Sequence, residues 1–200
     1  DVVLSRGLGD VYKRQLYRGM DSGSMENINS FGKLLAINKF ADIILSEFDP
    51  ELLEFKDFSA YQEESIKNGT GYSVHPEQYM AAPTGNQGWA LAPLFYGDNA
   101  YERNSLLMPK TTKLLKWIGY TKYAGITSLN PDCGLDWHTD DDPLRCFYTL
   151  RTDGLSYIEV QGEGKHFFKE RDYILFKPRK KHRVWNDGAE PRYSLVIDVW

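Results

Sequence analysis

The chain is 200 residues long, 42% hydrophobic, 14% aromatic and 26% charged, with a formal net charge of −4. It is long enough for one domain with its own core and too apolar for disorder, and its acidic balance offers no electrostatic footprint for nucleic acid. No apolar run approaches the roughly 18 residues that cross a bilayer as a helix, and two cysteines, Cys133 and Cys146, are too few for a disulfide scaffold, so a soluble, cytoplasmic protein with no membrane or nucleic-acid partner is expected.

At the N-terminus, Asp1–Gln15 contains SRGLGDVYKRQ, which resembles a translated adapter, and RGMDSGSMENINS follows with Gly, Ser and Asn and no periodicity. Residues 1–30 therefore read as a non-native or flexible lead-in, with a natural start expected near Met20 or Met25. The stop at Trp200, directly after an apolar run, reads as a truncation. Organised sequence opens near Phe31, and 31–200 is expected to form one domain.

Phe40, Ile43, Ile44 and Phe48 recur at helical spacing, with Asn38 as the N-cap. Asp49-Pro50 opens a second helical turn reaching Leu53, with proline at its tolerated first position. A third helix starts at Pro109, buries Leu114, Leu115 and Ile118 on one face, and ends at Gly119. From Tyr123 the texture changes to short apolar or alternating runs parted by Gly, Asp, Asn and Pro: Tyr123–Leu129, Leu144–Leu150, Ser156–Val160, Lys165–Phe168, Tyr173–Phe176, Arg183–Trp185 and Tyr193–Trp200. Evenly spaced short strands predict an antiparallel sandwich or barrel rather than βαβ units. Gly88–Phe95 could add an edge strand. The expected fold is α+β but mainly β: a jelly-roll, or double-stranded β-helix, core over 121–200 with a helical layer over 31–120.

Of four histidines, His138 and His182 stand in telling places. Trp137-His138-Thr139-Asp140 falls in the loop between two predicted strands. In an extended segment residues i and i+2 point the same way, so His138 and Asp140 can grip one ion. His182 comes just before the predicted strand Arg183–Trp185, which a jelly-roll can bring to the same barrel mouth. Two histidines and one carboxylate on one face of a metal leave the opposite positions open, which suits non-haem Fe(II) that must also take a cosubstrate and O₂. Chance alone supplies about half an H-x-[D/E] match in a chain of this composition, so the motif needs the rest of the pattern. Arg192 comes ten residues after His182, with Ser194 on the same strand face. A guanidinium and a hydroxyl together would anchor the far end of a dicarboxylic cosubstrate. Alternatively, Arg192 pairs with a surface acid such as Asp187 or Glu190. Arg145 on the next strand either faces the pocket, where it would contact cosubstrate, or makes a salt bridge outside the barrel.

With these residues in view, the sequence over Gly85–Trp200 resembles the Fe(II)/2-oxoglutarate-dependent oxygenases, specifically the aspartyl/asparaginyl β-hydroxylase-like group that includes free-proline hydroxylases. The marks are the H-x-D of His138 and Asp140, His182-Arg183-Val184-Trp185-Asn186, and Arg192-Tyr193-Ser194 leading into Val196-Ile197-Asp198-Val199-Trp200. The resemblance implies that His138, Asp140 and His182 ligate Fe(II), while Arg192 and Ser194 hold the distal carboxylate of 2-oxoglutarate. The products would be succinate, CO₂ and a hydroxylated amino acid, peptidyl residue or related small molecule. The animal branch of that group carries Gly where Asp140 stands and an Arg and a His where Phe147 and Thr149 stand, so the chain looks closer to the full-triad members. The full triad also speaks against halogenation. A different class of reading is a cupin-like ligand-binding or regulatory domain without oxidative activity.

The remaining candidates have bland readings. His166 alternates with apolar neighbours as a strand residue, His75 is in a loop, and Asn68-Gly69-Thr70 is a turn rather than a glycosylation site. Lys177–Lys181 is a solvated basic turn before His182. Cys146 is a buried small hydrophobe, and Trp89, Trp137 and Tyr148 belong to the core more readily than to a substrate pocket. No feature of the sequence marks an oligomeric state.

Overall fold

The computed structural model describes residues 32–57, 88–97, 99–119, 121–140 and 144–199. The expectations for the lead-in over 1–30, for His75 and the Asn68 sequon, and for Trp200 lie outside these residues. Helical turns over residues 32–35 and a 3₁₀ turn at Ile37–Phe40 lead into α1 (Ala41–Glu47), and further helices among the described residues are α2 (Glu102–Leu107) and α3 (Pro109–Ile118). The strands are β1 (Lys56–Asp57), β2 (Trp89–Tyr96), β3 (Asn99–Ala100), β4 (Thr121–Leu129), β5 (Cys133–His138), β6 (Leu144–Arg151), β7 (Ser156–Val160), β8 (Gly164–Phe167), β9 (Tyr173–Phe176), β10 (His182–Asn186) and β11 (Arg192–Val199).

Strands β4 to β11 behave as one antiparallel ribbon folded on itself. β7 pairs β8 at the hairpin, β6 pairs β9, β5 pairs β10 and β4 pairs β11. Rolling that ribbon adds the pairs β11·β6 and β10·β7. The result is one sheet ordered β1-β2-β4-β11-β6-β9, with β3 on β2, facing another ordered β5-β10-β7-β8. This is the double-stranded β-helix, and closure of this kind protects most strand edges.

Period-2 alternation splits the side chains between two cores. On β6, Phe147 faces the space between the sheets, whereas Cys146, Tyr148 and Leu150 face outward onto the helices. On β11, Val196 points in while Leu195, Ile197 and Val199 point out. The outer core is completed by Leu34, Ile37 and Ile44 and by Leu114, Leu115 and Ile118 of α3. Each such aliphatic side chain contributes roughly 1.5–3 kcal/mol on burial. The inner core is the aromatic set Trp89, Phe147, Phe168 and Phe176, with Leu129, Ile158, Val160 and Val184.

The third helix matches its sequence signals: Pro109 is at its first turn, and Gly119 caps it at φ 73°, a left-handed conformation that glycine adopts without strain. Its first amides are satisfied from a neighbour, because Glu47 at the end of α1 accepts Lys110 N–H and Thr111 N–H, each at 2.8 Å. The first helix differs from expectation. Asn38 lies inside the 3₁₀ turn, where its carbonyl accepts Ala41 N–H, and the helix has Phe40 at its N-cap with no side-chain cap hydrogen bond. After Asp49-Pro50 the chain makes only a turn, closed by Leu52 N–H to Asp49 O.

Two strand expectations are corrected. Gly88–Phe95 does not form a sheet edge: β2 lies between β1 and β4, because its outward residues Ala92 and Leu94 are needed in the outer core. The supposed loop around Trp137-His138 is the end of β5, which the sequence reading missed because CGLDWH alternates poorly. Since β1, β2 and β3 all precede residue 121, the division into a helical layer and a jelly-roll does not separate helices from strands.

Candidate metal centre and anion pocket

β5 and β10 are neighbours, and their register places His182 directly opposite His138. The pairing shifts by one residue between His182 and Val184, a bulge of the kind that re-aims side chains at a sheet end. The two imidazoles lie 4.3 Å apart between centroids. The His138 Nδ1 is 2.6 Å from Asp136 O, and the His182 Nδ1 is 2.8 Å from Lys180 O. A carbonyl can only accept, so each Nδ1 carries the proton and each Nε2 offers its lone pair to the site.

Asp140 completes the cluster. Its carboxylate oxygens lie 4.0 Å from His138 Nε2 and 3.8 Å from His182 Nε2, and one ligand atom from each of the three residues falls within 4.8 Å of the others. Its main chain is tied down by Asp140 N–H to Pro178 O at 2.9 Å. The basic turn 177–181 is thus a scaffold: Pro178 and Lys180 supply the carbonyls that hold two of the three residues.

The electrostatics suit a divalent ion. Burial pushes the Asp140 carboxyl upward, but Arg145, His138 and His182 outweigh it and hold it below the usual carboxylate range. Burial first, and the neighbouring His138 next, lower His182 to about 4, so it is neutral at pH 7 as a metal ligand must be.

Deeper between the sheets sits Arg192, fully buried at 0% exposure. Among the described residues none of its three guanidinium nitrogens has a hydrogen-bond partner. It is boxed by rings: Phe168 at 4.2 Å, Phe147 at 5.5 Å and Trp89 at 5.7 Å. The expected alternative, a surface pair with Asp187 or Glu190, is therefore absent. Burial lowers Arg192 to about 9, which still leaves a cation at neutral pH. An isolated buried cation costs several kcal/mol, and the rings offset only part of that. Beside it, Ser194 is the register partner of both Thr127 and Thr149, and the Ser194 and Thr149 hydroxyls are buried without a hydrogen-bond partner among the described residues. The sequence reading named Thr149 only as standing where the animal branch has a histidine and did not count it among the site residues, although it shares the alternating face of Arg145 and Phe147.

The two sites share one interior. Phe147 touches Arg192 and stacks on Phe176 at 5.9 Å, and Phe176 meets the His182 ring edge-on at 5.0 Å. Asn186 fixes the approach to Arg192, donating to Leu129 O and Glu190 O, each at 2.9 Å, and accepting Gly188 N–H. Arg145 does face the mouth, but against protein carboxylates: Nη1 donates to Asp140 at 2.5 Å, and Nε and Nη2 donate to Asp198 at 2.6 and 2.9 Å. Tyr148 and Cys146 lie on the opposite face of the sheet, in the outer core, as a core assignment requires. Trp137 lies under the Arg183 guanidinium at 5.1 Å, and His166 is in β8, away from the cluster.

A double-stranded β-helix with two histidines and one aspartate converging at its mouth defines a cupin-type barrel with a candidate metal centre. The profile of the aspartyl/asparaginyl β-hydroxylase family matches residues 41–200, and the chain belongs to that family. No curated protein matches the chain by sequence. Among solved structures, similar folds include a predicted oxalate decarboxylase from Thermotoga maritima (14% identity, 56% of this chain and 79% of that one, TM-score 0.39). They also include the cupin domain of an XRE-family transcriptional regulator from Enterobacter cloacae (14%, 57% and 98%, 0.41) and the Cnp3 cupin domain of Schizosaccharomyces pombe (12%, 56% and 64%, 0.40).

Proposed function

We propose that the protein is an Fe(II)- and 2-oxoglutarate-dependent dioxygenase that hydroxylates an amino acid, a peptidyl residue or a related small molecule. The observation that carries this reading is Arg192, a fully buried guanidinium without an acceptor among the described residues, in the same interior as the His138, Asp140 and His182 cluster. A buried cation beside two unpartnered hydroxyls is built for a carboxylate that enters from outside. The chain's belonging to a hydroxylase family supports the same reading.

His138, Asp140 and His182 would hold the iron, and Arg192, Ser194 and Thr149 would hold the distal carboxylate of 2-oxoglutarate. Iron with that cosubstrate and O₂ supplies oxidative decarboxylation to succinate and CO₂ and delivers a hydroxyl to a C–H bond. The chain's own contribution is orientation. The Asp136 and Lys180 carbonyls keep both imidazoles in the ligating tautomer. Arg192 selects a dianion over a monoanion, because only a second carboxylate satisfies it. The rings of Trp89, Phe147 and Phe168 exclude water and so strengthen that ion pair.

Anaerobic titration with Fe(II) and 2-oxoglutarate tests the reading. The expected result is the weak visible charge-transfer band of the chelate, lost in His182→Ala, and succinate release with a member of a panel running from proline, asparagine and aspartate to peptides. Neither band nor succinate in the wild type would refute it. A barrel that only bound an anion would gain thermal stability from 2-oxoglutarate with Mn(II) but release no succinate.

A further inference from the structure

The geometry points to Arg145 and Asp198 as a pair of positioning residues that hold Asp140 in its metal-ligating pose; this rests on the reading of His138, Asp140 and His182 as a metal site. Arg145 on β6 and Asp198 on β11 are direct register partners, and Asp198 is 1% exposed. The guanidinium presents its Nε and Nη2 edge to both Asp198 oxygens, at 2.6 and 2.9 Å. Such a fork fixes the plane of the guanidinium. The remaining nitrogen, Nη1, then lands 2.5 Å from Asp140 Oδ2.

Each feature has a consequence for the ligand. A lone aspartate rotates about its side-chain torsions and must be frozen when an ion binds. Here the Asp140 amide is fixed on Pro178 and one carboxylate oxygen on Arg145, which leaves Oδ1 for the ion. The guanidinium stands between the two carboxylates, the partly buried Asp140 and the buried Asp198, and offsets the repulsion of like charges brought together. A pair that served only to join strands would not need the third nitrogen. β6 and β11 are already joined by a ladder from Leu144 to Arg151. Arg145 therefore acts on the metal through Asp140, rather than as a cosubstrate ligand.

The test is Co(II) affinity of the full chain, read anaerobically from the visible absorption of the bound ion. Arg145→Gln and Asp198→Asn are each expected to weaken Co(II) binding about ten- to a hundredfold. In an Asp140→Ala background Arg145→Gln should add little further loss, because its route to the metal is gone. Should either single variant fail to fold, Arg145→Met combined with Asp198→Leu removes both charges without stranding one, and the same loss is expected. Wild-type affinity in the folded variants, or an undiminished Arg145→Gln loss in the Asp140→Ala background, overturns the positioning role while leaving the metal site intact. No Co(II) binding by the wild type overturns both readings.

Discussion

His138 and His182 face each other across paired strands, 4.3 Å between ring centroids, with each Nδ1 on the carbonyl of the residue two places before it. That repeated i−2 contact gives both rings the same tautomer, so two lone pairs converge before any ion arrives. The consequences can be measured.

Histidine titration should govern the acid stability of the metal-free chain. Burial and His138 lower His182 to about 4 from an ordinary 6.5. Between those values the unfolded chain binds a proton that the folded chain refuses. Stability is therefore fully present above pH 6.5 and falls as pH drops toward 4, by on the order of 3 kcal/mol. Urea melts across pH 4–7 check this, and His182→Gln should flatten the slope in that window.

Arg192→Met should separate stability from ligand binding. Without a dicarboxylate the wild type carries a buried cation with no acceptor among the described residues, and an apolar replacement of similar volume relieves it by about 1–3 kcal/mol. The variant is expected to melt higher than the wild type when empty. It should show no thermal shift with 2-oxoglutarate and Mn(II), which calorimetry reads directly.

Asn186→Ala tests the loop that aims Arg192. Asn186 is fully buried and satisfies two carbonyls and one amide. Removing it strands those groups, at a cost of about 2–3 kcal/mol. Because residues 187–191 lead directly into Arg192, the apparent Kd for 2-oxoglutarate should rise as well, while Co(II) affinity changes little.

Gly134→Ala probes the β5–β10 pair itself. A Cβ at this position would overlap the Trp185 ring and the Val184 carbonyl. The strands must part to admit it, so His138 and His182 lose their register. Co(II) affinity should fall although no ligand is altered, and circular dichroism should show the sheet retained.

Cysteine labelling checks the assignment of strand faces. Burial, with Asp198 adding to it, pushes the Cys146 thiol well above the usual range. Iodoacetamide at pH 8 should therefore modify Cys146 only after denaturation.

Much was legible before any coordinates. The alternation of β6 and β11 and the Pro109 and Gly119 limits of α3 follow from local pattern, because side-chain period and capping are set by adjacent residues; His138, Asp140 and His182 became candidates only through the wider spacing that runs on to Arg192 and Ser194 and through the family resemblance. The strand status of 133–138 was not legible, since CGLDWH lacks clean alternation and becomes a strand only through its pairing with β10. Nor could spacing show that Arg145 meets Asp198, 53 residues away, or that Arg192 meets aromatic rings but no hydrogen-bond acceptor among the described residues. By itself the sequence determined which chemical groups are present and which residues of a recognised strand, such as Arg192 and Ser194, share a face. The rolling of the ribbon alone decided which of them meet, because register between distant strands is a property of the closed barrel and of the two cores it must fill together.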